Sequence, residues 1–146
     1  MSMPVESGQA PAPAKFAHEN GTQLRLQCFV AVRDAQGRVA TLKVDGIEGW
    51  CLPGESMRLN ESPDEAAVRT ARAWFKTPLG MQLDRVLSFP ATGPEDDRWY
   101  ILFVYHADAP AQLEGTPDTR EMVFRAKEGV PDKWAMSHHE VWPQLF

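Results

Sequence analysis

The sequence has no long apolar run and no concentrated positive charge, and both absences narrow the possible functions. No apolar segment approaches the roughly 20 residues that span a bilayer, and the chain does not open with a basic segment followed by an apolar one. These features predict a cytoplasmic protein that does not cross a membrane. Because the net charge is -5 and the fifteen lysines and arginines are scattered, no binding to duplex nucleic acid is expected.

Cysteine is also scarce. Cys28 and Cys51 lie far apart and outside any Cys-x-x-Cys pair, which favours buried thiols over a zinc site or a disulfide framework. The sequence also contains no phosphate-binding Gly-x-x-x-x-Gly-Lys-Ser/Thr loop, no Gly-x-Ser-x-Gly nucleophile elbow and no His-Glu-x-x-His zinc motif. Several common catalytic sites are therefore excluded.

The length of 146 residues and the apolar content of 43% are typical of one globular domain. Residues 1–22 are rich in proline, alanine, glycine and polar side chains without periodicity, so they are predicted to form a flexible tail. Residues 23–146 are predicted to form the folded domain.

Apolar residues alternate with polar ones near the start of that domain, and this period of two predicts a strand. Its apolar face is predicted to carry Leu24, Leu26, Cys28, Val30 and Val32. A turn at residues 34–37, in which Gly37 can adopt a positive φ, leads to a second arm at residues 39–44. Further strands are predicted at residues 81–89, 99–105 and 121–126, and the middle one is apolar on both faces, as a central strand would be.

A helix is predicted to begin at Ser62, because Ser62 suits the N-cap, Pro63 suits the first helical position and Glu65 completes a capping box. Its apolar stripe is predicted to contain Ala67, Val68, Ala71, Trp74 and Phe75. Glu65 is expected to pair with Arg69 four residues later.

The spacing Ser137-x-x-Glu140 repeats the cap signal and predicts a short last helix, interrupted near Pro143. His138 and His139 beside Glu140 suggest a metal site, but neighbouring helical residues point about 100° apart, so a capped first turn is the simpler interpretation. Strands on either side of a central helix, with a second helix at the end, predict an α/β sandwich with a mixed sheet.

Trp50-Cys51-Leu52-Pro53-Gly54 is followed at fixed spacing by Glu61 and Arg69, with seven residues between the last two. This pattern resembles the signature of the Nudix hydrolase superfamily, G-x5-E-x7-R-E-U-x-E-E-x-G-U, where U is aliphatic and Trp-x-Leu-Pro-Gly commonly precedes. The resemblance covers about residues 24–145. It implies a Nudix-like α/β/α sandwich, in which Gly54, Glu61 and Arg69 form a structural motif that ties the loop to the helix.

The second half of the signature departs from the family pattern. Glu55 replaces the opening glycine, and Thr70, Ala73 and Trp74 stand where the family has three glutamates. Those glutamates bind a divalent metal in family enzymes and activate water in many of them. Mg²⁺ requires oxygen ligands, which a methyl group or an indole does not supply, so no metal is expected at these three positions.

Four other acidic residues are candidates for displaced metal ligands or catalytic groups: Glu55, Glu61, Asp96 and Asp97. For each of them a structural or solvated surface role is favoured. Trp74 is interpreted as a core aromatic in preference to a residue that stacks on a ligand.

Three functions remain. The favoured one is a Nudix-fold protein that binds a nucleotide or another phosphorylated small molecule, with weak or no hydrolase activity and no metal cofactor. The alternatives are an active Nudix-type diphosphate hydrolase that uses Mg²⁺ or Mn²⁺ on displaced acidic ligands, and a protein-interaction scaffold. Specificity is expected to lie in the loops at residues 90–97 and 110–120.

Overall fold

The computed structural model describes residues 23–92 and 97–146. The predicted flexible tail at residues 1–22 and the candidate Asp96 lie outside this part of the chain. Within it, no helix is both long and apolar enough to cross a membrane.

Six strands form one mixed sheet. The elements in chain order are β1 (Gln23–Arg33), β2 (Val39–Val44), β3 (Gly54–Ser56), α1 (Pro63–Trp74), β4 (Met81–Pro90), β5 (Arg98–Asp108), β6 (Thr119–Arg125), α2 (His138–Val141) and a 3₁₀ turn (Trp142–Leu145). The strand order is β4-β5-β1-β2-β6, and β3 pairs with β1 off this path. β1 and β5 are parallel, whereas the other pairs are antiparallel, so the predicted mixed sheet is confirmed.

The predicted hairpin between β1 and β2 is present, with Gly37 at a φ of +79° in its turn. The two arms separate beyond Arg33 and Val39, and residues 50–56 fill the opening. Cys51 exchanges two backbone hydrogen bonds with Leu42, while the carbonyl of Pro53 accepts from the N–H of Val30. The segment that precedes α1 is therefore anchored to both arms of the hairpin.

Helical layers cover both faces of the sheet. Alternate residues of β1 enter two separate cores, because successive side chains of a strand point to opposite faces. The first core lies under α1 and contains Cys28, Val30, Val32, Trp74 and Tyr105. The second lies under α2 and the 3₁₀ turn and contains Phe29, Ala31, Leu102, Val104 and Trp142. The predicted α/β/α sandwich is confirmed.

The predicted apolar face of β1 is buried over only part of its length. Leu24 and Leu26 are 55% and 44% exposed, whereas Phe29 and Ala31 on the opposite face are buried. α1 contacts β1 but leaves the first residues of that strand uncovered, and the second helical layer buries residues that a one-faced alternation assigns to solvent. Burial here depends on how far each covering layer extends.

The predicted start of α1 is confirmed. The Ser62 hydroxyl accepts from the N–H of Glu65 at 3.1 Å, and the Glu65 carboxylate accepts from the N–H of Ser62 at 2.9 Å. The predicted stripe is wrong at Val68, which is 41% exposed. The buried residues of the helix are Ala66, Ala67, Thr70, Ala71 and Trp74. Phe75 is buried just beyond the last helical residue.

The predicted last helix is present as α2, followed by the 3₁₀ turn that contains Pro143. Its predicted capping box is wrong, because the Ser137 side chain makes no cap hydrogen bond. The N–H of Glu140 donates to the backbone carbonyl of Ser137, and the Glu140 carboxylate accepts from the Thr92 hydroxyl. The same four-residue spacing thus has different contacts in the two helices.

Replacing Ser62 by alanine should lower the free energy of unfolding by about 1 kcal/mol, because α1 then loses its N-cap acceptor. Urea denaturation followed by circular dichroism measures this loss. Ser137→Ala is the matched control, since its side chain makes no cap hydrogen bond and its loss should be smaller. Equal losses in the two variants would contradict the assignment of the caps.

Candidate functional site

Arg69 joins three segments at the start of α1. Its Nε and Nη2 atoms donate to the two carboxylate oxygens of Glu61 at 2.7 and 3.0 Å. Nη2 also donates to the carbonyl of Ser56 at 2.7 Å, and Nη1 lies 3.7 Å from the Glu55 carboxylate. Arg69 therefore connects α1 to the preceding loop and to β3.

The electrostatics follow from these contacts. Hydrogen bonds from Arg69, and next from the N–H of Arg58, lower the pKa of Glu61 to about 2. The hydrogen bond to Glu61 in turn raises the pKa of Arg69. The expected pair between Glu65 and Arg69 does not form, because Glu65 caps the helix and Arg69 turns toward Glu61. The Glu61 carboxylate thus accepts three hydrogen bonds from the protein, two from Arg69 and one from the N–H of Arg58.

The three signature positions that lack glutamate have different surroundings. Thr70 is fully buried beside the Cys28 thiol. The Ala73 methyl group is exposed. Trp74 is 8% exposed within the first core, and its Nε1 donates to the carbonyl of Gly54 at 3.2 Å. None of the three positions presents a carboxylate to solvent.

Gly54 is required by the packing of two aromatic residues. A Cβ atom at this position would lie 2.5 Å from Cε2 of Phe29, whose ring is buried. The Gly54 carbonyl accepts the indole N–H of Trp74 on the other side. Two rings therefore close over this turn from opposite faces of the sheet.

The side chains of α1 and of the segment before it do not fit a Mg²⁺ site. Mg²⁺ is held by carboxylates and water, but Thr70, Ala73 and Trp74 offer a buried hydroxyl, a methyl and an indole. Glu55 and Glu61 both lie against the Arg69 cation. Across residues 23–92 and 97–146, no group of three or more histidine, cysteine, aspartate or glutamate side chains could hold a metal ion.

Asp97 does not lie near Glu55, Glu61 and Arg69. Its carbonyl accepts from the N–H of Gln23 at the first residue of β1, whereas Glu55 pairs with Cys28. Five residues of β1 separate these levels, roughly 16 Å at about 3.3 Å per residue. The structure thus brings Glu55 and Glu61 together around Arg69 and leaves Asp97 apart.

Both cysteines are buried and unpaired, as the sequence predicts. Burial raises the pKa of each thiol to about 11, so neither is a thiolate at neutral pH. They pack as small apolar residues in the first core.

A cavity of about 320 Å³ opens on the opposite face of the sheet, beside α2. Strands β1, β4 and β5 and the residues around the start of α2 contribute its walls. Its lining includes Gln27, Phe89, Arg98, Tyr100, Met136 and Glu140. The loop at residues 110–120, where specificity is expected, contributes no residue to this lining.

His138 lines this cavity with a fixed tautomer. Its Nδ1 accepts from the N–H of Leu52 at 2.9 Å, so the proton of the neutral ring lies on Nε2. Burial lowers the pKa of His138 to about 4, and the ring packs edge-on against Phe29. His138 is therefore a neutral donor at physiological pH.

Sequence reasoning missed the cavity residues. Arg98, Tyr100 and Leu102 alternate along β5 and face the cavity together, but that strand reads as apolar on both faces. The alternation of Arg98 and Tyr100 with Trp99 could have indicated that Arg98 and Tyr100 share one face of the strand. Glu140 was assigned to a helix cap, and only the tertiary packing places it in the cavity wall.

Glu61→Gln should destabilise the protein most above pH 4.5 and progressively less as the pH falls toward 2. The carboxylate has a folded pKa of about 2 and an ordinary value of 4.5, so its contribution is present above 4.5 and is lost on acidification. Urea denaturation across this pH range measures the difference from the wild-type protein. Glu128→Gln, at an exposed site, is the control, and a pH-independent difference for Glu61→Gln would contradict this account.

The imidazole of His138 should remain neutral, with its proton on Nε2, down to about pH 4. Its folded pKa lies below the ordinary 6.5, so the unfolded chain takes up this proton first and stability falls from pH 6.5 to 4. ¹⁵N NMR reports the tautomer directly. His138→Asn keeps an acceptor for Leu52 without titrating and should reduce this fall, whereas a doubly protonated ring at pH 6 would contradict the assignment.

No family model matches the sequence, and no curated protein matches it significantly. Solved structures do match. A Nudix hydrolase from Nitrosomonas europaea aligns with a TM-score of 0.62 at 14% identity, over 84% of this chain and 70% of that one. A MutT Nudix hydrolase from Burkholderia pseudomallei aligns with a TM-score of 0.59 at 20% identity, over 85% and 99% of the two chains.

The Nudix domain of NrtR from Shewanella oneidensis, solved in complex with ADP ribose, aligns with a TM-score of 0.57 at 15% identity. The match covers 84% of this chain and 85% of that domain. At sequence identities of 20% or less, these matches show a similar backbone fold. The chain has the fold of the Nudix hydrolases.

Proposed function

We propose that the protein binds a nucleotide or another phosphorylated small molecule in the cavity beside α2, and that it has weak or no hydrolase activity. The observation that carries this proposal is the combination of an aromatic, polar cavity with signature positions that present no metal-binding carboxylate. In this proposal the chain has a cavity for binding a ligand but lacks the side chains that metal-dependent hydrolysis requires.

The cavity suits a flat ligand with an anionic group. The rings of Phe89 and Tyr100 lie with their centroids 5.8 Å apart and offer apolar surface on which a base can pack. The guanidinium of Arg98 lies 5.8 Å from the centre of the Tyr100 ring and brings positive charge to the cavity. Its planar geometry suits a phosphate oxygen pair.

The size of the cavity agrees with this ligand class. A volume of about 320 Å³ falls at the lower end of the range for small-molecule sites, which is about 300–1,000 Å³. The ADP ribose complex of the NrtR domain shows that one protein of this fold binds a nucleotide derivative. This supports a nucleotide-type ligand for the present chain.

Weak or absent hydrolysis follows from the chemistry of diphosphate cleavage. The reaction needs neutralisation of charge on the phosphate oxygens and a positioned water, which a carboxylate-bound Mg²⁺ supplies. Thr70 and Trp74 are buried in the core, and Glu55 and Glu61 face the Arg69 cation. These side chains provide neither the metal ligands nor a free general base.

Calorimetry with nucleoside diphosphates should detect binding, while ³¹P NMR with millimolar Mg²⁺ or Mn²⁺ should detect no appreciable turnover. Tyr100→Leu should weaken binding by about 5- to 150-fold, since stacking on one aromatic side chain contributes about 1–3 kcal/mol. Trp99→Leu is the matched control, because Trp99 is the neighbouring residue on the opposite face and bonds Ser88 there.

Two results would overturn the proposal. Metal-dependent turnover that is lost in Glu55→Gln or Glu61→Gln would establish a hydrolase with displaced acidic ligands. Absence of binding to any phosphorylated ligand would leave the cavity without this function and favour the interaction scaffold.

A further inference from the structure

One nitrogen of the His138 ring has no partner in the part of the chain that the structure describes. The residue is only 7% exposed, and its Nδ1 accepts from the N–H of Leu52 at 2.9 Å, but its Nε2 makes no hydrogen bond there. Nε2 does not belong to the side-chain atoms that are both buried and unbonded, so it keeps accessible surface. Because His138 lines the cavity beside α2, a ligand in that cavity can reach Nε2.

Nε2 offers a ligand a donor and nothing else. The contact with Leu52 occupies the lone pair of Nδ1, so the proton of the neutral ring lies on Nε2. Gln27 and Ser137, which also line the cavity, can each donate or accept and so accommodate either kind of group. His138 is therefore the wall residue that requires an acceptor atom on the ligand.

His138 and the positive charge of the cavity lie at different levels of the sheet. The guanidinium of Arg98 lies over the ring of Tyr100, 5.8 Å from its centre. The imidazole packs edge-on against Phe29, with ring centroids 5.3 Å apart, and Phe29 pairs with Val104 of β5. Four residues of β5 separate Tyr100 from Val104, which is roughly 13 Å at about 3.3 Å per residue.

The surroundings of His138 suit a base better than a phosphate. Phe29, Leu102 and Val141 line the cavity near the imidazole, and each is less than 5% exposed. A phosphate among these side chains would lose its water without gaining a cation, whereas a flat heterocycle gains apolar contact. The phosphates of a nucleotide are better placed at the other end, beside Arg98.

We infer that His138 fixes the orientation of a nucleotide in this cavity: its Nε2–H donates to a ring nitrogen or carbonyl oxygen of the base, and the phosphates point toward Arg98. The inference deepens the proposed function and rests on it, since it requires the ligand to enter this cavity. It narrows the ligand from any phosphorylated small molecule to one that carries an aromatic heterocycle with an unprotonated acceptor.

NMR of the wild-type chain tests the contact directly. With ¹⁵N-labelled histidine, the Nε2–H proton of His138 should move downfield and exchange more slowly with water when the tightest-binding nucleoside diphosphate is added. Inorganic diphosphate at the same concentration should leave this resonance unchanged, because it has no base. This experiment needs no variant and therefore no assumption about folding.

Two variants separate a contact with the ligand from a role in the fold. His138→Asn keeps an acceptor for Leu52 but removes the donor at Nε2, so nucleotide binding should weaken by about 2- to 12-fold. His138→Gln carries its amide near the position of Nε2 and gives up the acceptor for Leu52. We expect His138→Gln to bind the nucleotide more tightly than His138→Asn although it unfolds at a lower temperature.

His139→Asn is the matched control. His139 is the neighbouring histidine, but it is exposed and does not line the cavity. Calorimetry should give this variant the affinity of the wild-type chain.

The possible failures are distinct. An Nε2–H resonance that a bound nucleotide leaves unchanged, or that inorganic diphosphate moves, would overturn the inference and leave nucleotide binding intact. Tighter nucleotide binding by His138→Asn than by His138→Gln would reduce His138 to its contact with Leu52. Absence of binding by every phosphorylated ligand tested would overturn the proposed function as well.

Discussion

The contacts of Arg69 are the constraint on which the arrangement of β3, the turn before α1 and α1 depends. One guanidinium fixes the carboxylate of Glu61, the carbonyl of Ser56 and, more loosely, Glu55. The rigid fork of the arginine suits this arrangement, because its five donors lie in one plane and reach several acceptors at once. The turn before α1, the strand β3 and the helix itself are thereby held in one geometry.

That geometry separates the two halves of the signature segment. The half from Trp50 to Arg69 supplies backbone pairing, a glycine turn, a helix cap and an ion pair. In the half that follows, Thr70 and Trp74 turn inward and become part of the core. Trp74 also donates to the carbonyl of Gly54, so this side chain stabilises the turn before α1.

The cavity lies on the other face of the sheet and draws on other elements. β5 links the two regions, because its alternate residues face α1 on one side and the cavity on the other. His138 connects them more directly, since its Nδ1 accepts from Leu52 in the segment that leads to α1. A single buried imidazole therefore couples the backbone before the signature helix to the wall of the cavity.

The sequence by itself determined the elements whose signals are local. The cap at Ser62, the glycine turn at Gly37 and the alternation of β1 depend on neighbouring residues, and each formed where it was predicted. Val68, Leu24 and Leu26 did not follow their patterns, because burial is decided by what covers a face and not by its period. The predicted capping box at Ser137 did not form either, and the Glu140 carboxylate accepts instead from Thr92, which lies 48 residues away in the sequence.

Only the tertiary structure decided the composition of the cavity. Gln27, Phe89, Tyr100 and Glu140 come from four separate elements, and no spacing in the sequence relates them. The parallel pairing of β1 with β5, together with the return of the chain end over the sheet, brings them to one place. A local pattern therefore predicts a helix or a turn, whereas a binding surface requires contacts between distant residues that only the folded chain establishes.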